Sequence, residues 1–253
     1  MSILVFFSKY SASGNDFIIT HLFRHNMISY SKLAQKVCNR HEGIGADGLI
    51  ILKPNDNYDY EWEFYNQDGS AASMCGNGSR VAGAYAVSMN LANKQHRFLS
   101  GAGVINISVD NNMVESELGI ANILNKNIFE ANISWWLIDT GVPHLVAFGD
   151  NIFNLDETMM SELRHKYNAN VNVARIDCKY VSIRTFERGV EGETLACGTG
   201  MAAMFYRLLL ERCVTNIQVF KPMSKELVYL REDNQSLFLK GEVRKICDFS
   251  YGI

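Results

Sequence analysis

Two stretches of the chain, MCGNGSRVAGAYAV (residues 74–87) and ACGTGMAAMFYRLL (residues 196–209), follow one pattern. Each has a cysteine, a glycine, a polar residue and a second glycine ahead of an apolar run with helical spacing. The two cysteines, Cys75 and Cys197, are 197 − 75 = 122 residues apart, close to half of the 253-residue chain. A match at this separation indicates an internal repeat, and it predicts two α/β halves related by duplication.

The segments before each motif support the repeat, because both run strand, strand, helix, strand. In the first half, residues 30–40 place apolar side chains at helical spacing, and residues 104–118 predict a hairpin that turns at two asparagines. In the second half, a helix is predicted to begin near Asp156. The chain is predicted to finish in a strand over residues 236–246, and the boundary between the halves is placed near residues 115–120.

Composition and charge narrow the class of protein. The formal net charge of −3 gives no indication of a basic surface that would bind nucleic acid or anionic lipid. The first residues read as a strand and not as a signal peptide, and no apolar run approaches the roughly 20 residues that cross a bilayer. Six cysteines without a regular framework of spacings favour reduced thiols and a cytoplasmic location.

The CGxG turns suggest a chemistry. A helix N-terminus presents unpaired N–H groups and a partial positive charge, and glycines let a ligand such as a carboxylate approach the backbone. A thiol at this position is expected to have a pKa lowered from about 8.5. Two such thiols, one on each face of a carbon centre, could remove a proton from one side and return one to the other.

Other interpretations of these segments remain open at this point. Each cysteine could be a small core residue, and the two thiols could form a redox-sensing pair or belong to a binding module without catalysis. The segment GIGADG (residues 43–48) has the spacing of a dinucleotide-binding loop, but it follows a helix and precedes a strand, the reverse of that context. Closely spaced cysteine and histidine side chains of the kind that bind zinc are not found.

Six motifs, in order along the chain, resemble the diaminopimelate epimerase family: SGNDF (13–17), RHEGIGADGL (40–49), YNQDGS (65–70), MCGNGSR (74–80), GVPH (141–144) and ERGVEGETLACGTG (187–200). The resemblance implies an epimerase, free of pyridoxal phosphate, metal or other cofactor, that interconverts LL- and meso-diaminopimelate for lysine and peptidoglycan synthesis. It also implies two domains, each a curved, mostly antiparallel sheet around a central helix, with the active site in the cleft between them.

The resemblance further implies how the domains divide the chain and what the chain binds. The domains would be residues 1–117 and 118–241, with a last strand over residues 242–253 returning to the first. The partner would be a small molecule, diaminopimelate, with no nucleic acid and no membrane, and a homodimer is compatible with the sequence.

Site roles carry over from the family one residue at a time. Cys75 and Cys197 would be the acid/base pair, with His144 and Glu187 influencing the pKa values of the thiols. The reacting α-carboxylate would be held by backbone amides of four residues: Gly76, Asn77, Gly198 and Thr199. The distal end of the substrate would be bound by five side chains: Asn15, Asn66, Asn172, Glu187 (to an ammonium) and Arg188 (to the distal carboxylate).

Two positions depart from the family pattern. Val142 stands where the family has an asparagine, which removes one substrate-binding amide. Glu187 precedes Cys197 by 197 − 187 = 10 residues where the family has nine, and Glu191 is the apparent insertion. An epimerase or racemase for another amino acid is the alternative that Val142 suggests.

Overall fold

The computed structural model describes residues 4–22 and 29–252. The chain divides into two compact units. Unit 1 comprises Met1–Ser116 with Glu242–Ile253, and unit 2 comprises Glu117–Gly241.

The elements follow in chain order. Those up to the end of unit 1's first segment are β1 (Leu4–Ala12), β2 (Asn15–His21), α1 (Tyr30–Val37), β3 (Gly48–Lys53), β4 (Tyr60–Asn66), β5 (Ala71–Ala72), α2 (Gly76–Ser88), β6 (Gln95–Ser100), β7 (Gly103–Asp110) and β8 (Met113–Ile120), which crosses the boundary. Those that follow are β9 (Asn122–Glu130), β10 (Ile133–Asp139), β11 (Pro143–Phe148), α3 (Asp150–Phe153), α4 (Glu157–Tyr167), β12 (Asn170–Ile176), β13 (Val181–Glu187), β14 (Gly192–Thr194), α5 (Gly198–Leu210), β15 (Ile217–Lys221), β16 (Val228–Asp233) and β17 (Ser236–Glu242). The last strand, β18 (Arg244–Gly252), lies in unit 1.

The strand pairings repeat from one unit to the other. In unit 1, β1–β2, β3–β4, β4–β5, β6–β7 and β7–β8 are antiparallel, and β2–β3 and β4–β6 are parallel. In unit 2, β10–β11, β12–β13, β13–β14, β15–β16 and β16–β17 are antiparallel, and β11–β12 and β13–β15 are parallel. The same order of pairings in both units confirms the predicted duplication.

Helix α2 is the centre of unit 1. Its buried face, which includes Val81, Ala82 and Tyr85, packs in one apolar cluster with side chains from seven strands, β1 to β4 and β6 to β8. Because strands across the width of the sheet contact the same helix, the sheet wraps around it. The approach is close at Gly83, where an added Cβ would lie 2.5 Å from Cγ2 of Ile107. The other face of the sheet is covered by α1, which buries Leu33 and Val37.

Helix α5 has the same place in unit 2. Its residues Met201, Phe205 and Leu208 are fully buried and pack with side chains of β10 to β13 and β15 to β17. Helix α4 covers the opposite face and buries Met160 and Leu163 there. The predicted sheet around a central helix is therefore present in each unit, and the fold is mixed and mostly antiparallel.

The ends of some helices and strands differ from those predicted from the sequence. Helix α1 ends at Val37 and not at residue 40, and the predicted strand over 236–246 is two strands, because the chain passes from unit 2 to unit 1 at Glu242. GIGADG is the connection from α1 to β3, as expected from its context. In the part of the chain that the structure describes, no helix has the length and apolar character needed to cross a bilayer.

Candidate active site

The first CGxG turn begins helix α2, and Cys75 is its N-cap residue. The Cys75 backbone is extended, and its sulfur accepts a hydrogen bond from the backbone N–H of Gly78 at 3.4 Å. The side chain is half-buried, while Gly76 and Asn77, the first two residues of the helix, are buried. One of the first-turn N–H groups of α2 therefore donates to the sulfur.

Polar side chains hold this turn in place. The side-chain amide of Asn77, which is only 2% exposed, donates to Oδ1 of Asn15 at 2.7 Å. Nδ2 of Asn15 in turn donates to Oδ2 of Asp47 at 2.8 Å. The buried guanidinium of Arg80 donates to Oδ1 of Asn77 from the other side. Asn15, predicted to bind the substrate's distal end, thus has both ends of its amide in hydrogen bonds within unit 1.

The second CGxG turn begins helix α5 in the same way. Cys197 is the N-cap residue, it is half-buried, and its backbone is extended. The Thr199 hydroxyl lies 3.5 Å from the Cys197 sulfur, and the Thr199 carbonyl accepts a hydrogen bond from the Thr140 hydroxyl at 2.9 Å. Both cysteines therefore cap 13-residue helices at equivalent positions of the repeat.

The electrostatic environment of Cys197 differs from the sequence expectation. Burial and the carboxylate of Glu187 raise the pKa of the Cys197 thiol well above its ordinary value, although the Thr199 hydroxyl and the Gly200 backbone N–H act in the opposite direction. The predicted lowering of the pKa is therefore wrong for this thiol. Loss of hydration and a nearby negative charge outweigh the helix N-terminus.

His144 lies behind the second turn, and it is fully buried. Its Nε2 is 3.0 Å from Oγ1 of Thr199, and its Nδ1 is 3.0 Å from Nδ2 of Asn172. Burial, with a smaller contribution from the charge of Arg188, lowers the His144 pKa to about 3. His144 is therefore a neutral imidazole whose two nitrogens are both in hydrogen bonds.

Asn172, predicted to bind substrate, is also fully buried. Its Oδ1 accepts from the Thr185 hydroxyl at 2.9 Å, and its Nδ2 also lies 3.4 Å from the Leu145 carbonyl oxygen. The structure thus places Asn172 beside His144, on the neighbouring parallel strand, with its amide in internal hydrogen bonds.

Glu187 and Arg188 lie at the end of β13, in the hairpin that leads to β14. Oε1 of Glu187 accepts from the Thr194 hydroxyl at 2.7 Å. The exposed Arg188 is held by its backbone N–H, which donates to Oδ1 of Asn170 at 2.8 Å, and Nη1 donates to the Asn168 carbonyl at 3.0 Å.

The apparent insertion, Glu191, has a defined place in this hairpin. Its φ of 57° is in the left-handed region, and Oε1 accepts the Gly189 backbone N–H at 2.9 Å. The same carboxylate forms an ion pair with Arg164 of α4 at 2.6 Å. The extra residue is therefore accommodated in the tip of the hairpin, away from strand pairing.

Two predicted positions lie at the ends of strands. Asn66 ends β4, and its Nδ2 donates to the Ser70 hydroxyl at 3.0 Å. Val142 lies between β10 and β11, where its carbonyl accepts the Thr140 backbone N–H at 3.2 Å.

The structure thus gathers Cys75, Gly76, Asn77 and Asn15 at one helix start. It gathers Cys197, Gly198, Thr199, His144 and Glu187 at the other. Sequence reasoning missed Asp47, Thr140 and Thr185, which contact predicted residues. Asp47 and Thr140 adjoin the ends of strands and Thr185 lies within one, and such positions do not by themselves reveal a partner.

The remaining cysteines lie elsewhere. Cys38 is buried in the cluster under α1, where burial and the charges of Asp16 and Asp47 raise its pKa to about 12. Cys247 is exposed on β18, and Cys178 and Cys213 lie in exposed turns.

Comparison with known proteins identifies the family to which these features belong. The family model described as diaminopimelate epimerase matches residues 7–124 and 136–246. The chain belongs to the diaminopimelate epimerase family. A diaminopimelate epimerase from a Nitratiruptor species is 55% identical over 247 residues, covering 97% of this chain and 98% of the relative. One from Helicobacter pylori is 45% identical over 258 residues, covering 95% and 94%.

Solved structures show the diaminopimelate epimerase-like fold in other proteins. A phenazine biosynthesis protein of the PhzF family from Bacillus anthracis matches with a TM-score of 0.77 at 13% identity, covering 99% of this chain and 100% of that one. A hydroxyproline epimerase from Agrobacterium vitis matches with a TM-score of 0.73 at 11% identity, covering 99% and 93%. At these identities the likeness concerns the fold alone. Membership of the diaminopimelate epimerase family makes the chain an isomerase.

Proposed function

We propose that this enzyme interconverts LL- and meso-2,6-diaminopimelate, in lysine and peptidoglycan precursor synthesis, through a thiol and a thiolate. The observation that carries the proposal is the repeated helix start, in which a half-buried cysteine caps a central helix in each unit. The names of relatives at 45–55% identity over nearly the whole chain supply the substrate.

The proposed reaction moves protons only. One cysteine thiolate takes the proton from the α-carbon, and the electron pair left behind delocalises into the α-carboxylate. The other cysteine thiol gives its proton to the opposite face, which inverts the centre and leaves that sulfur as the thiolate. The protonation states therefore belong to the pair, and they exchange with each turnover.

The helix starts supply the stabilisation that this carbanion requires. We assign the backbone N–H groups of Gly76, Asn77, Gly198 and Thr199 to the reacting carboxylate. Their dipoles favour the negative charge that develops on it in the transition state. No pyridoxal phosphate or metal is invoked in this scheme.

The resting protonation states follow from the local electrostatics. Because burial and Glu187 raise the pKa of Cys197, we assign the thiol form in the free enzyme to Cys197. Neutral His144 then acts on Cys197 through Thr199, and not as a charged neighbour.

The far end of the substrate is assigned to the exposed hairpin. Arg188, whose planar guanidinium suits a carboxylate, would bind the distal carboxylate, and Glu187 would bind an ammonium group. Asn66 is proposed to contact the same end. Asn15 and Asn172 are proposed to contribute as well, although within their own units their amides are already hydrogen-bonded.

Two further parts of the proposal concern the setting of the enzyme. A mechanism through reduced thiols fits a cytoplasmic location. Assembly as a homodimer is proposed as well, and light scattering after gel filtration measures the mass directly.

Isotope exchange tests the reaction. Incubation with LL-diaminopimelate in D₂O is expected to give meso product with deuterium at the inverted α-carbon. Cys75→Ala and Cys197→Ala are each expected to abolish epimerisation, and Cys178→Ala, at an exposed turn, serves as the matched control. Full activity in either site variant would contradict the two-base mechanism, and a panel of other amino acids tests the substrate assignment.

A further inference from the structure

A line of hydrogen bonds in unit 2 leads from a buried strand to the Cys197 sulfur. The Thr185 hydroxyl is 2.9 Å from Oδ1 of Asn172, and Nδ2 of Asn172 is 3.0 Å from Nδ1 of His144. Nε2 of His144 is 3.0 Å from the Thr199 hydroxyl, which is 3.5 Å from the sulfur. Thr185, Asn172 and His144 are 3%, 0% and 0% exposed, so their hydrogen bonds are shielded from water.

The chemistry of the groups sets the direction of this line. Nδ2 of Asn172 also lies 3.4 Å from the Leu145 carbonyl, which can only accept, so this atom is the amide nitrogen. The amide nitrogen donates to Nδ1 of His144, which must therefore be the unprotonated ring nitrogen. In a neutral imidazole the proton is then on Nε2, which donates to the Thr199 hydroxyl oxygen.

The hydroxyl hydrogen of Thr199 takes no part in the hydrogen bond with His144. Because its oxygen receives the His144 proton, the hydroxyl can donate to the Cys197 sulfur. We propose that Thr185, Asn172 and His144 are positioning residues that hold the Thr199 hydroxyl as a hydrogen-bond donor to Cys197. The donor stabilises the thiolate that Cys197 becomes after giving up its proton. Only the formation of this thiolate during catalysis rests on the proposed function.

Two other observations agree with this arrangement. Gly200 follows Thr199, and a Cβ there would lie 2.1 Å from Oδ1 of Asn172, so glycine allows the amide to reach the helix start. The Thr199 hydroxyl lowers the pKa of Cys197, which burial and Glu187 raise overall. The charged groups that act on the line are Glu187, on the thiol, and Arg188, on the imidazole.

Alkylation measures the effect without any substrate. The purified enzyme is treated with iodoacetamide at pH 8, and the modification rate of the Cys197 peptide is followed by mass spectrometry. Thr199→Val removes the donor and keeps the shape of the side chain. A rise of about one unit in the thiol pKa lowers the thiolate fraction about tenfold, but the more basic thiolate is more nucleophilic. The expected net decrease in rate is therefore roughly threefold.

Thr185→Val tests the far end of the line. Its Cys197 rate is expected to fall in the same direction, and Thr185→Ser, which keeps the hydroxyl, is expected to restore it. Thr20→Val is the matched control, because Thr20 is also 3% exposed and its hydroxyl donates to the Phe6 carbonyl in unit 1. The Cys75 peptide in each digest is the internal reference. An unchanged Cys197 rate in Thr199→Val overturns the proposal.

A second measurement needs no substitution. Nitrogen NMR of the histidine rings is expected to show the His144 proton on Nε2, and a proton on Nδ1 overturns the proposed direction. Neither result depends on turnover of diaminopimelate. Failure of the substrate assignment would appear in the D₂O experiment alone, so the two failures are distinguishable.

Discussion

At the scale of single residues, Cys197 is set between opposing neighbours. Burial and Glu187 favour the thiol, whereas the Thr199 hydroxyl and the Gly200 N–H favour the thiolate. Burial and the carboxylate outweigh the two hydrogen-bond donors, so the thiol form is favoured overall.

Glu187→Gln is expected to lower the pKa of Cys197, because it removes the negative charge that opposes the thiolate. The rate of alkylation of the Cys197 peptide should rise about threefold if the pKa falls by about one unit. Glu162→Gln, on the exposed face of α4, is the matched control in the same unit. A Glu187→Gln rate equal to that of the unsubstituted enzyme would contradict the assigned effect of the carboxylate.

His144 makes the stability of the protein depend on pH. Burial lowers its pKa from 6.5 to about 3, so the unfolded chain takes up a proton below pH 6.5 that the folded chain does not. Its contribution to stability is therefore complete above pH 6.5 and lost as the pH falls toward 3. The unfolding free energy should decrease there by up to about 1.4 kcal/mol per pH unit from this group.

His144→Gln should make the pH dependence of stability shallower. Urea denaturation at pH 7 and at about pH 5 measures the slope. His41→Gln, at an exposed position, is the control that should keep the original slope. Equal slopes in the two variants would show that His144 does not titrate differently in the folded and unfolded chains.

Sequence reasoning located the two N-cap cysteines better than the residues that contact their turns. Cys75 and Cys197 are marked by a repeated motif, and the structure shows each as a helix N-cap. Thr185 carries no such mark, because a threonine in a buried strand looks the same whether or not it donates to a buried asparagine. The direction of the pKa shift of Cys197 could not be predicted from the sequence either, because it depends on burial and on a carboxylate ten residues away in the sequence.

At the scale of elements, the second glycines of the two motifs, Gly78 and Gly200, differ in how closely neighbouring atoms approach them. Neither Gly78 nor Gly200 has a positive φ. Gly200 is required by the close approach of Asn172, at 2.1 Å from the position of an added Cβ. A Cβ at Gly78 would meet only ordinary contacts, the nearest at 3.4 Å from Cβ of Cys75.

Gly200→Ala is therefore expected to destabilise the enzyme by about 1–3 kcal/mol, because it forces Asn172 away from the helix. Gly78→Ala is the matched comparison, and it should cost less than Gly200→Ala. Thermal unfolding of the two variants side by side measures the difference. Equal losses would indicate that the Asn172 contact does not determine the choice of glycine.

The hairpin between β13 and β14 forms an ion pair with α4 through Glu191, the apparent insertion. Glu191 joins the hairpin tip to Arg164 of α4, and Arg188 lies in the same hairpin. Glu191→Gln should raise KM for diaminopimelate by up to about fivefold, with a smaller effect on kcat, because it removes an ion pair that fixes the hairpin tip but is screened by water. Lys166→Met, which breaks another ion pair of α4, is the control. A fall in kcat at unchanged KM would contradict a role in binding.

Prediction of the elements failed where the pattern is weak. β9 was not predicted, because most of its residues are exposed and its sequence, NILNKNIFE, lacks a clear alternation. The residue pattern alone joined β17 and β18 into one strand, because both are good strands and only the passage from one unit to the other separates them. The resemblance to the family implied the separate last strand.

At the scale of the whole molecule, the repeat extends to one further strand in each unit, β18 in unit 1 and β9 in unit 2. In unit 1, β18 from the end of the chain pairs along β1, and in unit 2, β9 pairs along β10 at the equivalent place. Each strand directly follows the last strand of the repeated order, β17 or β8. We propose that the units are domains with the bounds inferred from the sequence, residues 1–117 with 242–253 and residues 118–241.

This division predicts that a destabilising substitution in β18 lowers the stability of unit 1. The Phe249 ring stacks on Phe7 with centroids 5.6 Å apart, and it packs against the cluster under α1. Phe249→Ala should lower the stability of unit 1 by roughly 2–4 kcal/mol. Hydrogen exchange should therefore accelerate in β1, β2 and α1 and remain slow in α5. Phe129→Ala, at a position 68% exposed, is the control and should leave both units protected. Equal acceleration in α5 would mean that the two units unfold as one, and that the chain order does not divide the molecule into separately stable domains.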